Sequence, residues 1–194
     1  MPHIHNKPGQ HDVTVSAYIV RIDQPQPLCL VHMHRKMGKL MQAGGHLELN
    51  ETPWQSVAHE IAEETGYTLA ELKVAQHTAQ RTVEIASINH PVPFDMNTHS
   101  VGNDHFHSDL CYGFVAEGPA KQPVASGEAV DQRWLTVEEM AILVANGEAI
   151  EDMYHIYKKF VANLTTYVLI AATDFSLEHP TAALATYKFG APGE

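Results

Sequence analysis

Cysteine is scarce in this chain: Cys29 and Cys111 are the only two among 194 residues. One pair at most is no disulfide framework, so a reducing compartment, the cytoplasm, is expected. Long hydrophobic runs are missing. The most apolar-leaning stretch, Tyr167 to Ala172, is far shorter than the roughly 20 residues that span a bilayer. The opening MPHIHNKPGQ lacks the apolar region of a signal peptide, so neither secretion nor a membrane partner is expected. Basic residues are few as well, 12 Lys plus Arg against 23 Asp plus Glu, for a net charge of −11. A non-specific nucleic-acid binder needs a basic footprint, so nucleic acid is not an expected partner. No GxSxG, P-loop, HExxH or CxxC signature occurs.

What is present is a foldable chain, 44% hydrophobic and 18% charged, of one-domain length. Residues 1–10 read as a flexible polar arm, 11–165 as the domain, and 166–194 as a C-terminal extension of unclear role. DVTVSAYIVR (12–21) and LCLVHMH (28–34) read as strands of a hairpin, joined by the proline-broken IDQPQP. Further strands are expected at 78–86, 107–116 and 130–136. A loop is expected over 89–104. Helices are expected from Thr136 to Gly147 and over 150–165.

The best-defined helix is 53–65. Thr52 suits the N-cap, Pro53 the first helical position, Gln55 completes a capping box, and Gly66 stands where a C′ glycine belongs. Trp54, Val57 and Ile61 fall on one side and are expected to face the core. Glu60, Glu63 and Glu64 share another side, a quarter turn away, and repel one another. Hard divalent cations, which take oxygen ligands, are the simplest offset. Glu48 and Glu51 lie just upstream, after the diglycine Gly44-Gly45.

The segment Gly45 to Tyr67, GHLELNETPWQSVAHEIAEETGY, resembles the Nudix box. Gly45 is followed by five residues and Glu51, then by seven and His59-Glu60. Ile61, Glu63-Glu64 and Gly66 fill the remaining fixed places. Two positions depart from the pattern. His59 replaces an arginine, and Tyr67 replaces an aliphatic residue. LCLVHMHRK and VDQRWLTVEEM resemble the same family more weakly. The resemblance covers residues 11–150. It implies an α/β fold, an α/β/α sandwich with a mixed β-sheet and a loop-helix-loop catalytic motif. It also implies hydrolysis of a nucleoside diphosphate linked to another moiety, with Mg²⁺ or Mn²⁺ as cofactor. Glu60 and Glu64 are then metal ligands, and Glu63 is a further ligand or the group that deprotonates water. The carbonyl of Gly44 or Gly45 completes the coordination. Glu51 supports the helix, with His59 as its partner in place of the arginine. Because histidine has neither a permanent charge nor a planar fork, a non-catalytic module that binds a nucleotide metabolite is the alternative. An isoprenoid-diphosphate isomerase of the same fold needs a reactive cysteine, and both cysteines sit in apolar strands.

Substrate phosphates are expected to meet Arg35, Lys36 and Lys39 in the basic turn, and Glu48 is a weaker substrate contact. His-x-His pairs occur at 3–5, 32–34 and 105–107. Alternation puts His105, His107 and Asp109 on one face of a strand, suited to substrate recognition or an auxiliary metal. Phe94, Phe106 and Tyr112 are candidates to stack on a base, though each is more often a core residue. The loop 89–104 is the expected substrate selector. A homodimer, with the C-terminal extension against a partner chain, stays open.

Overall fold

The computed structural model describes residues 7–79, 88–125 and 130–178. Strand β1 (His11–Arg21) is the central element. It pairs antiparallel with β2 (Leu28–His34) at Val20–Cys29 and Arg21–Leu28, closing the expected hairpin. Beyond that point the two strands part. The N-terminal half of β1 pairs instead with β4 (Ala43–His46), matching Thr14 with His46 and Val15 with Gly45. Strand β2 turns back through the exposed turn 35–38 into β3 (Lys39–Met41).

The other edge of β1 runs parallel to β7 (His105–Ala116) over eleven residue pairs, from His11–Phe106 to Arg21–Ala116. Antiparallel to β7 lie β5 (Leu72–Gln76) and β6 (Asp95–Gly102). Strand β8 (Val130–Leu135) borders β2, and β9 (Val168–Ala171) borders β5. The described residues thus form one mixed sheet.

Helix α1 (Pro53–Thr65) begins as its caps predict. The Thr52 hydroxyl accepts from the Gln55 N–H, and the Thr52 N–H donates to the Gln55 side chain at 2.8 Å. It ends at Gly66, whose φ of +74° is left-handed. Trp54, Val57 and Ile61 are fully buried against Val15, Ile19, Phe114 and Ile170. On the opposite face, α2 (Val137–Ala145) and α3 (Glu151–Ala162) bury Met140, Met153, Tyr157 and Phe160 against Val20, Val31 and Val115. Helix, sheet and helices make the α/β/α sandwich. None of the described helices is long and apolar enough to cross a membrane.

Tyr157 fills the place where β1 and β2 part. Its hydroxyl accepts from the Ile19 N–H at 3.2 Å and donates to the Leu30 carbonyl at 2.5 Å. Two backbone groups that would otherwise lose their ladder partners are satisfied by one buried side chain.

One expectation changes, that of the loop, and two further segments are seen only in part. The strand expected at 78–86 falls largely outside the described residues; Thr78 and Ala79 lie in no strand, and β5 ends at Gln76. The loop expected over 89–104 contains β6, held by pairing to β7 rather than by apolar alternation. Asn103 and Asp104, with φ of +52° and +56°, make the tight turn between them. The described part of the C-terminal extension supplies β9, and Phe175 packs edge-on against Trp54.

Candidate active site

One turn of helix separates Glu60 from Glu64, so both reach the same side of α1. That side faces the backbone of Gly44 and Gly45 in β4. Glu64 Oε2 accepts the Gly44 N–H at 2.9 Å. Glu60 is buried. A Cβ at residue 45 would lie 2.0 Å from Glu60 Oε1, so the carboxylate occupies the space a side chain would need. A Cβ at Gly44 would strike the Val15 carbonyl at 2.3 Å, and its φ is +152°. The diglycine therefore has two separate causes. Gly44 lets β4 approach β1, and Gly45 lets α1 approach β4.

His32 comes to the same place from β2. Its Nε2 lies 3.5 Å from Glu64 Oε2 and 3.2 Å from the Gln42 carbonyl. Burial lowers its pKa, so at neutral pH it is uncharged, and its Nε2 N–H donates to the Gln42 carbonyl with the Glu64 carboxylate alongside. The far end of α1 is anchored too. Gln132 donates to the Glu64 carbonyl at 2.6 Å, and the Ala125 N–H to that of Glu63 at 2.9 Å.

Glu63 is turned away from this group. It is 45% exposed and lies 3.0 Å from His59 Nε2. The other ring nitrogen of His59 stands 3.3 Å from Glu51 Oε1. One imidazole thus bridges the loop glutamate and the helix. The hydrogen bond to Glu63, reinforced by the charge of Glu51, raises its pKa. Protonated, it carries positive charge to both carboxylates and eases the repulsion on the helix.

The expected residues therefore fall into groups. Glu60, Glu64, Gly44 and Gly45 converge, and Glu51, His59 and Glu63 form an adjoining cluster. Glu48 belongs to the loop between them, where its carbonyl accepts the Glu51 N–H at 3.1 Å. Arg35 and Lys36 sit in the exposed turn after β2, three and four residues beyond His32. His105 and His107 lie elsewhere, beside Asp12 and His46. Asp109, expected with those two histidines, instead accepts from the Thr14 hydroxyl at 2.9 Å and the Cys111 thiol at 3.2 Å. Phe94 and Tyr112 are core residues, and Phe106 stacks on His11. Both cysteines are buried, and burial pushes the Cys29 thiol up to about 12. His32 is marked by the His-x-His pair at 32–34, whereas Asp12 and His46 carry no signal in the sequence beyond lying on strands; pairing partners alone bring those two into place.

The donor set suits a hard cation. Two carboxylates converge at the backbone of a diglycine, which supplies further oxygen and no steric obstacle. The residues present fit Mg²⁺ or Mn²⁺.

The NUDIX domain profile matches residues 11–163. No curated protein matches the chain. Among solved structures, a hydrolase of the NUDIX family from Clostridium perfringens shares 22% identity. The match covers 79% of this chain and 97% of that one, with a TM-score of 0.60. A Caenorhabditis elegans Ap4A hydrolase is 18% identical over 79% and 98%, with a TM-score of 0.60. The NUDIX domain of Shewanella oneidensis NrtR, solved with ADP ribose, is 14% identical over 80% and 89%, with a TM-score of 0.57. With Glu60 and Glu64 gathered at the diglycine and the profile spanning most of the chain, this protein belongs to the NUDIX domain family.

Proposed function

We propose that this protein is a cytoplasmic, metal-dependent pyrophosphohydrolase acting on a nucleoside diphosphate linked to another moiety. The observation that carries the reading is the convergence of Glu60 and Glu64 on the Gly44–Gly45 backbone. Glu60 and Glu64 hold Mg²⁺ or Mn²⁺, with the Gly44 or Gly45 carbonyl as a further oxygen. Such an ion neutralises charge on the phosphates and lowers the pKa of water.

The chain's own residues do the rest. His32, held by its hydrogen bond to the Gln42 carbonyl, stands 3.5 Å from Glu64 as a neutral imidazole and limits where that carboxylate can turn. Glu63 takes a proton from water or adds an oxygen ligand, and for either it must turn from His59 toward Glu60. His59 and Glu51 hold the loop to α1 and so set the distance between diglycine and helix. Arg35 and Lys36, in the exposed turn that follows the strand of His32, meet substrate phosphates. Two of the similar structures bear on the substrate class: one is an Ap4A hydrolase and another is complexed with ADP ribose.

The test is release of nucleoside monophosphate, resolved by chromatography, with Mg²⁺ and Mn²⁺ over a panel of nucleoside diphosphate derivatives, with Glu64→Gln as control. Turnover of one class, lost in the control, supports the enzyme. Thermal stabilisation by a panel member without turnover replaces it with the binding module.

A further inference from the structure

The histidines left over by this site make a second one. Pairing of β1 with β7 sets Asp12 directly opposite His107, and pairing of β1 with β4 sets Thr14 opposite His46. Val15 and Gly45 point toward α1, so by alternation Asp12 and His46 project from the reverse face of the sheet. The glutamates and this histidine group are on opposite faces.

The ligating atoms of Asp12, His105 and His107 all lie within 4.8 Å of one another. His105 Nε2 is 3.3 Å from Asp12 Oδ2. His46 Nε2 is 3.2 Å from His107 Nε2 and 3.8 Å from Asp12 Oδ2. Ligands held at 2.0–2.1 Å around a tetrahedral ion are separated by about 3.3–3.4 Å. Two of these three separations sit near that edge length, and the third, 3.8 Å, is somewhat longer. Asp12 is 2% exposed and already flanked by His105 and His46, so a divalent ion placed among the three would meet a buried carboxylate with nitrogen ligands at hand. Three imidazoles and one carboxylate are borderline ligands, favouring zinc and its neighbours over magnesium. His107 is steadied from behind by the ring of His99, 5.4 Å away, itself bonded to Asn97 at 2.9 Å.

We propose that Asp12, His105 and His107, with His46 as the fourth ligand, bind one zinc-class divalent ion that ties β1, β4 and β7 together. The site is independent of the hydrolase reading. It reaches the active site through one peptide bond, since His46 follows Gly45.

The experiment uses the full chain stripped with EDTA and titrated with Zn²⁺, then with Co²⁺ as a spectroscopic probe. One equivalent bound, a raised Tm and the intense visible absorption of tetrahedral Co²⁺ are expected. His107→Ala and Asp12→Asn should each weaken binding at least tenfold. Glu60→Gln/Glu64→Gln and His3→Ala/His5→Ala should leave it unchanged. Loss of the signal in either of those two controls, with retention in His107→Ala, would overturn the proposal by assigning the ion to the glutamates or the N-terminal pair. So would imidazole NMR resonances of His105 and His107 that titrate with pH but do not move on adding Zn²⁺, a readout on the unaltered chain that needs no variant to fold.

Discussion

Gly45→Ala is the sharpest probe of the arrangement. The added Cβ would meet Glu60 Oε1 at 2.0 Å and Cδ at 2.7 Å. Real Cβ contacts do not fall below 3.0 Å, so the carboxylate must withdraw by at least 1 Å. The obstacle is the end of a side chain, so the fold survives. Overpacking of this kind costs about 1–3 kcal/mol. For a chain of this size that is a fall in Tm of roughly 2–12 °C, at about 2–4 °C per kcal/mol. A 1 Å misplacement in a reacting centre costs on the order of 10²-fold in rate, about 2.7 kcal/mol in barrier. The assays are thermal unfolding and Mg²⁺-dependent release of nucleoside monophosphate on the same preparation. A double variant separates clash from general damage: in a Glu60→Ala background, Gly45→Ala should cost little or nothing in Tm. If Gly45→Ala loses as much stability there as in the parent, or turns over at the parent rate, the steric argument fails. Gly44→Ala is the contrast. It meets the Val15 backbone at 2.3 Å, which cannot swing away, and should prevent folding.

Glu60→Gln and Glu64→Gln should each abolish metal-dependent turnover with circular dichroism unchanged; turnover surviving in both removes these residues from the site. For His59, the folded pKa is raised above its usual 6.5 by Glu63 and Glu51. Its bridge is therefore fully present below pH 6.5 and is lost as pH climbs through the raised value. His59→Arg should abolish that decline in Tm between pH 6 and 8 while keeping activity. At 43% exposure the gain is under about 1 kcal/mol, and parallel Tm profiles for the two proteins would refute the bridge. Tyr157→Phe leaves the Ile19 N–H and the Leu30 carbonyl without a buried partner and should cost about 1–3 kcal/mol in urea unfolding. A loss below 0.5 kcal/mol would mean that β1 and β2 close up unaided.

Local chemistry is what the sequence carried well. The helix 53–65 has its start, its end and its buried side written in Thr52, Gln55, Gly66 and the Trp54/Val57/Ile61 spacing, and all three appear as read. The strands 12–21 and 28–34 were legible from β-branched runs and the prolines between them. Strand β6 was not, because DMNTHSVG is polar and is held by its partner. Its Gly-Asn-Asp turn was the one available hint of a hairpin. Glu63 shows the limit within the site itself. Periodicity placed it with Glu60 and Glu64, but 3.6-residue spacing does not say which neighbour a side chain turns to, and the structure gives it His59. Asp12 and His46 were illegible for a stronger reason. Asp12 meets His107 through a parallel pairing between segments 95 residues apart, and His46, 61 residues from His107, is brought in by its antiparallel pairing with the same strand β1, neither of which a local pattern encodes.

That remoteness also governs when the protein acquires its shape during synthesis. The Tyr157 hydroxyl reaches the Ile19 N–H across 138 residues of chain. A ribosome adding about 5–20 residues per second needs roughly 7–28 s to cover that distance. Until then the first strand has emerged without the element that seals its parting from the second, and its long parallel neighbour arrives only at residue 116. A nascent chain halted before residue 157 would present an open fissure through the middle of its sheet. Arresting translation at defined lengths and probing the emerging chain with protease should therefore show protection arriving in one late step, after the last helix clears the exit tunnel.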